Sequence, residues 1–140
     1  MPHITEAPRL FVAYRYRDPE AAIRWFVETL GFRERARYLD GSRIAHAELV
    51  FGASILMLGQ AAADSPVADP GSAATYVAVD DPDVLFARIA ASGVRIEAPP
   101  ADRPHGSREF TCRDPEGNLW CFGTYWPRPD EAPGRSRPAC

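Results

Sequence analysis

Residues 18–32 read DPEAAIRWFVETLGF, and residues 81–94 read DPDVLFARIAASGV. Both open on Asp-Pro-acid, run through a helical stretch and close on Gly followed by an apolar residue. An Asp ahead of the first turn can cap its free amides, a Pro fits the first helical position, and an acid suits the positive end of the helix dipole. Ile23, Phe26, Val27 and Leu30 fall at i, i+3, i+4 and i+7, and Leu85, Phe86, Ile89 and Ala90 repeat the design. Gly31 and Gly93 supply the left-handed stop. The spacing predicts two helices, each lying on a sheet.

Working outward, residues 10–16 and 75–79 are apolar, strand-like runs that precede the two helices. Strands are expected at residues 32–39, 44–50 and 53–58 after the first helix, and at 94–97, 109–113 and 119–126 after the second. The last two are joined by residues 114–118, where Pro115 pre-sets a turn and Gly117 accepts positive φ. Each half therefore reads strand–helix–strand–strand–strand, two copies of one unit in an α+β fold of two βαβββ modules. Residues 1–127 form a single domain: module one covers 8–59, the Ala/Asp/Pro-rich segment 60–72 links the halves, and module two covers 73–127. Residues 128–140 lack apolar periodicity and are expected to be a flexible tail.

The 140 residues suffice for one compact core, and 46% apolar with 25% charged residues is ordinary for a globular chain. A formal charge of −3 does not favour nucleic acid or an anionic membrane. All 16 basic residues are arginine, which excludes a lysine Schiff base or a phosphate-loop lysine. With no apolar run long enough to span a bilayer and no signal-peptide pattern, the expected location is the cytoplasm. Cys112, Cys121 and Cys140 show neither metal-binding spacing nor a disulfide framework, and they are expected to be reduced. No Ser/His/Asp arrangement, Gly-rich phosphate loop or nucleic-acid-binding aromatic stripe is present. Trp25 and Trp120 read as structural, and Trp126 as a strand end suited to a dimer seam.

At this point the chain resembles the vicinal-oxygen-chelate superfamily, the glyoxalase, bleomycin-resistance and extradiol-dioxygenase group. The resemblance rests on Tyr16-Arg17-Asp18, Leu30-Gly31-Phe32, His46-Ala47-Glu48-Leu49, residues 76–82 and Gly106-Ser107-Arg108-Glu109. Its most specific element is Arg113-Asp114-Pro115-Glu116-Gly117-Asn118-Leu119-Trp120, continuing as Phe122-Gly123-Thr124-Tyr125. It covers residues 8–127 and implies two modules whose curled mixed sheets enclose a cup, helices outside, in a homodimer.

In metal-using members of that group, His, Gln or Glu side chains enter the cup from the first and last strands of each module. Counting seven residues back from each capping Asp gives Phe11 and Ala74. Counting four beyond each turn glycine gives Leu56 after Gly52 and Cys121 after Gly117. A shift of one residue brings in Leu10 or Val12, Ala73 or Thr75, Ile55 or Met57, and Trp120 or Phe122, and none of these repairs the set. No metal and no other cofactor is predicted.

With those four positions inward, alternation adds Ala13 and Arg15, Ser54 and Leu58, Tyr76 and Ala78, and Leu119, Gly123 and Tyr125 to the cup face. The lining is apolar and aromatic with few polar handles, and its small residues leave room; a filled core is the alternative. The expected ligand-binding residues are Phe11, Arg15, Leu56, Tyr76, His105, Arg108, Cys121 and Tyr125. His105 and Arg108 would meet an acidic group from a loop, or Arg108 would be tied to its neighbours. His46 and Glu48 share a strand face, as a general base or metal pair or as a solvated polar pair. Arg33, Arg35 and Arg37 alternate on strand two and should share one face, solvated or anion-attracting. The leading expectation is metal-independent binding and sequestration of an apolar or aromatic small molecule, such as an antibiotic or metabolite, as in bleomycin resistance. The alternative is a glyoxalase-like isomerase or lyase, or another enzyme of the group, with a non-standard metal or acid–base site drawn from His46, Glu48, His105 and Cys121. No catalytic residue is assigned.

Overall fold

The structure, a computed structural model, describes residues 7–8, 10–63, 71, 73–104 and 106–127. The chain divides into two compact units. Among the described residues, the first comprises those from 8 to 73 together with the turn at 114–119; the second comprises those from 74 to 113 and from 120 to 127, together with Ala7. Each is built on a four-stranded sheet with one helix, so the α+β reading and the two βαβββ modules hold.

In the first unit the elements are β1 (Val12–Tyr16), α1 (Pro19–Glu28), β2 (Arg33–Asp40), β3 (Arg43–Phe51) and β4 (Ser54–Gln60), with sheet order β1-β4-β3-β2. The β1–β4 pair is parallel and the other two are antiparallel. Asp18 caps α1 by accepting from the Ala21 amide at 3.0 Å, and Pro19 opens the helix. One face of the helix is buried through Ala22, Ile23 and Phe26, followed by a buried Leu30, and the sheet buries Tyr14, Tyr16, Leu49, Leu56 and Leu58. Phe26, Phe32 and Phe51 continue as a row of rings with centroids 5.2 and 4.7 Å apart.

The second unit repeats the plan with β5 (Ala74–Ala78), α2 (Pro82–Ala91), β6 (Ile96–Asp102), β7 (Arg108–Arg113) and β8 (Leu119–Gly123), in the order β5-β8-β7-β6. Asp81 caps α2 at the Val84 amide, 3.2 Å, and Gly31 and Gly93, at φ 82° and 85°, follow the two helices. Phe86 of α2 meets Phe110 edge-on at 5.4 Å, and Phe110, Phe122 and Trp120 stack on the sheet beneath at centroid spacings of 5.1 and 6.3 Å. Trp25 and Trp120 are both buried, as expected of structural residues.

Three expectations change. First, β6 reaches Asp102 rather than ending at Glu97, through Pro99 and Pro100. It is an edge strand, where a missing N–H costs no ladder bond, and its pairing with β7 slips twice around those prolines. Conversely β8 stops at Gly123, and β4 runs on to Gln60, into the segment read as linker.

Second, the inward face proposed for the first module mixes two faces. Val12 pairs with Leu56 and Ala13 with Met57, so Leu56 and Leu58 share the helix side with Tyr14. Phe11, Ala13 and Arg15 lie on the opposite side, with Ile55, Met57 and Gly59. Leu56 is 3% exposed and belongs to the core.

Third, Arg33, Arg35 and Arg37 do not share a face. An irregularity in the β2–β3 register between Glu34 and Ala36 interrupts the alternation. Arg37 turns to the helix side, bonding Glu34 at 2.5 Å and Glu20 of α1 at 2.6 Å, while Arg35 reaches Glu48 on the other side.

The most specific sequence element, residues 113–120, is structural. Asp114, 4% exposed, accepts from the Glu116 and Asn118 amides at 3.0 and 3.1 Å, from Asn118 Nδ2 at 3.1 Å and from the Tyr16 hydroxyl at 2.7 Å. The Asn118 side-chain oxygen accepts from the Gly71 and Ala73 amides. The Glu116 carboxylate takes the Arg17 and Asp18 amides at 2.6 and 2.7 Å, just ahead of α1.

Candidate functional site

In the second unit, the face of β5, β8 and β7 that α2 does not cover gathers Tyr76, Ser107, Glu109 and Gly123. Hydrogen bonds from Leu119 to Ala73 and from Val79 to Gly123, 3.0 and 2.8 Å, set β5 beside β8, with Tyr76 on the face of Cys121 and Gly123. Gly123 has no room for a larger residue. A Cβ there would come within 2.6 Å of Glu109 Cγ, 2.8 Å of the Tyr76 hydroxyl and 3.0 Å of Ser107 Oγ.

The Tyr76 hydroxyl donates to the Tyr125 carbonyl at 2.6 Å, and the Tyr125 amide donates to Ser107 Oγ at 2.9 Å. This pins the chain just past β8. It sets the two tyrosine rings 6.2 Å apart at 54°, with Tyr125 37% exposed. Burial is the main cause of the raised Tyr76 pKa, so the phenol stays neutral. Beneath it Glu109 is 1% exposed, with Arg103 Nε 4.0 Å away. The face thus offers aromatic surface over a buried, polar floor. Tyr76 was legible from strand alternation; Tyr125 reaches the same face although β8 ends before it, and Ser107 and Glu109 were missed. An acid alternating with the apolar Phe110 and Cys112 was the available signal for Glu109.

The other expected ligand contacts are distributed differently. Arg108 alternates with Glu109 and points to the helix side, where its guanidinium holds Asp83 at 2.8 and 3.0 Å and Asp102 at 3.3 Å. Two carboxylates raise its pKa and already match its charge. Cys121 lies on the Tyr76 face and is buried, as is Cys112 on the helix side. His105, Cys140 and the tail at 128–140 lie outside the described residues.

In the first unit, Phe11 is 41% exposed and Arg15 half-buried, both on the face away from α1. Arg15 passes over Gly59 to donate to the Ala45 carbonyl at 3.3 Å. On the same face His46 Nε2 meets Glu48 Oε2 at 3.0 Å, and Arg35 donates to Glu48 Oε1. The sequence placed His46 beside Glu48; the register irregularity hid Arg35 as the third member.

The profile of the Glyoxalase/Bleomycin resistance protein/Dioxygenase superfamily matches residues 3–122. The chain belongs to this superfamily. Among solved structures, TioX from Micromonospora sp. ML1 is 34% identical, with 84% of this chain and 98% of that one covered and a TM-score of 0.72. TnmS3, described as an antibiotic binding protein from Streptomyces sp. CB03234, is 25% identical over 86% and 97% of the two chains, TM-score 0.69. A glyoxalase/bleomycin resistance protein from the same Streptomyces is 25% identical over 81% and 98%, TM-score 0.64. A search of curated proteins gives no match.

Superfamily members that use a metal need oxygen and nitrogen donors converging from the first and last strands of each module. Here those positions hold an exposed Phe11, a core Leu56, Ala74 and a buried Cys121. The residues facing with Arg15 on β4 are Ile55 and Met57, which supply neither donor type. The usual donor set does not fit a divalent metal. Among the described residues, no three His, Cys, Asp or Glu side chains are grouped to hold one.

Proposed function

We propose that this superfamily member binds and sequesters an apolar or aromatic small molecule, an antibiotic or secondary metabolite, without a metal ion. The observation that carries the reading is the Tyr76–Tyr125 pair, held over a buried polar floor on the face that α2 leaves open. Such a face suits a flat organic ligand, because each ring offers stacking area at little entropic cost. The superfamily name and the antibiotic-binding description of TnmS3 support the same class of ligand. On this reading the protein works in the cytoplasm as a homodimer, and sedimentation at micromolar concentration giving twice the 15.4 kDa chain mass is expected.

The test is a fluorescence titration of the purified protein with a panel of aromatic antibiotics that includes bleomycin. Saturable binding is expected, weakened about tenfold in Tyr125→Ala, since each stacked pair contributes about 0.5–1.5 kcal/mol. Equal affinities for parent and variant would move the site elsewhere. A second reading, a glyoxalase-like isomerase or lyase with a non-standard site, draws on the His46–Glu48 hydrogen bond. A stoichiometric metal whose melting shift vanishes in His46→Ala would favour it.

A further inference from the structure

The tyrosine face makes no use of the His46 cluster, which lies in the other unit on the side of its sheet away from α1. Four strands meet there. β1 brings Arg15, β2 brings Arg35 and Tyr38, β3 brings His46 and Glu48, and β4 contributes only Met57 and the narrow Gly59. Hydrogen bonds from His46 and then Arg35 hold the Glu48 carboxyl below its ordinary range, so it is an acceptor only. Its 3.0 Å contact with Nε2 therefore requires the proton to sit on Nε2. In the neutral ring this leaves Nδ1 as the lone-pair acceptor. The His46 side chain is 36% exposed, and the Tyr38 ring, 59% exposed, lies 5.9 Å from the imidazole at a tilt of 39°.

A carboxylate-oriented imidazole beside an exposed ring, with an arginine on the same face, has a definite complement. We propose that the His46 cluster recognises an aromatic hydroxyl, a phenol or naphthol, whose O–H donates to His46 Nδ1 while its ring lies against Tyr38. Arg15 favours the partial negative charge on the hydroxyl oxygen. No covalent bond changes; the contact is a hydrogen bond. Glu48 is a positioning residue that sets which nitrogen accepts, and Arg35 holds Glu48. The proposal rests on the reading that the chain binds aromatic small molecules, and it names a chemical group that a molecule bound at this face would carry.

The matched probes are 2-naphthol and its methyl ether, 2-methoxynaphthalene, titrated against the full chain by calorimetry. The parent should prefer the naphthol by about fivefold to tenfold, the worth of one hydrogen bond. His46→Ala should erase that preference while leaving the ether's affinity within about twofold, and His46→Phe, which keeps an aromatic ring, should do the same. Glu48→Gln offers a sharper readout. With Arg35 retaining the amide oxygen, the amide nitrogen faces Nε2, Nδ1 becomes a donor, and the preference for the naphthol should fall to about twofold or less. Equal binding of both probes by the parent, or an unchanged preference in either His46 variant, would overturn the site and leave aromatic binding standing. Binding of neither probe would overturn both readings.

Discussion

Asp114 and Glu48 are both carboxylates that join side chains from separated parts of the first unit, and they end in opposite circumstances. Asp114 is sealed, taking two backbone amides, an amide side chain and a tyrosine hydroxyl. Glu48 remains part-exposed, and the imidazole it orients keeps one nitrogen for another partner. A network whose donors and acceptors are matched internally serves the fold, since removing any member strands the others. One that leaves an oriented group unfinished at a surface serves recognition. The chain's most recognisable motif belongs to the first kind.

The largest expected effect breaks the sealed network. Asp114→Ala leaves the Tyr16 hydroxyl, the Asn118 side chain and two amides without their acceptor, and should cost about 3–5 kcal/mol in denaturant unfolding. The corresponding Glu48→Ala should cost much less, because exposed ion pairs contribute little. A reversed order would show that burial is not what separates the two clusters.

A smaller effect sharpens it through pH. Tyr16 titrates well above its ordinary value of 10.0, first because it is buried and second because of the Asp114 charge. A group whose folded pKa is raised gives stability that is whole below the unfolded pKa and declines as pH climbs above it. Stability should therefore fall above about pH 10, and Tyr16→Phe, costing about 1.5–3 kcal/mol at neutral pH, should flatten that fall. Chemical denaturation across pH 8–11 checks both statements. The smallest effect concerns Arg108. Because Asp83 and Asp102 hold it at the surface, Arg108→Ala should barely shift the denaturant midpoint and should leave ligand affinity unchanged.

Much of the fold was legible because its signals are local. Asp caps, opening prolines, an i, i+3, i+4, i+7 stripe and a terminal glycine act within one turn, and α1 and α2 stand where they were expected. Faces and registers were less so. A slip of one residue between distant β1 and β4 moves Leu56 from the open side to the core, and no local residue reports that slip. The irregular register at Glu34–Ala36 separates Arg35 from Arg37 in a run that reads as simple alternation. Pro99 and Pro100 argue against a strand until β6 is known to be an edge. Tyr76 and Tyr125 do meet, but Tyr125 lies past the end of β8 and is held by the Tyr76 hydroxyl and Ser107 rather than by strand pairing. Arg108 was misplaced because the strand begins one residue earlier than expected and carries its side chain to α2.

The central claim is binding of an aromatic ligand without a metal, and the most direct measurement is thermal melting of chelator-treated, metal-free protein against an aromatic antibiotic. The account predicts a melting temperature that rises with ligand concentration and does not change further when Zn²⁺, Ni²⁺, Mn²⁺ or Fe²⁺ is restored; at one hundred times the dissociation constant the stabilisation should be about 2.7 kcal/mol. A ligand-induced shift that appears only after one of those ions is returned would contradict it.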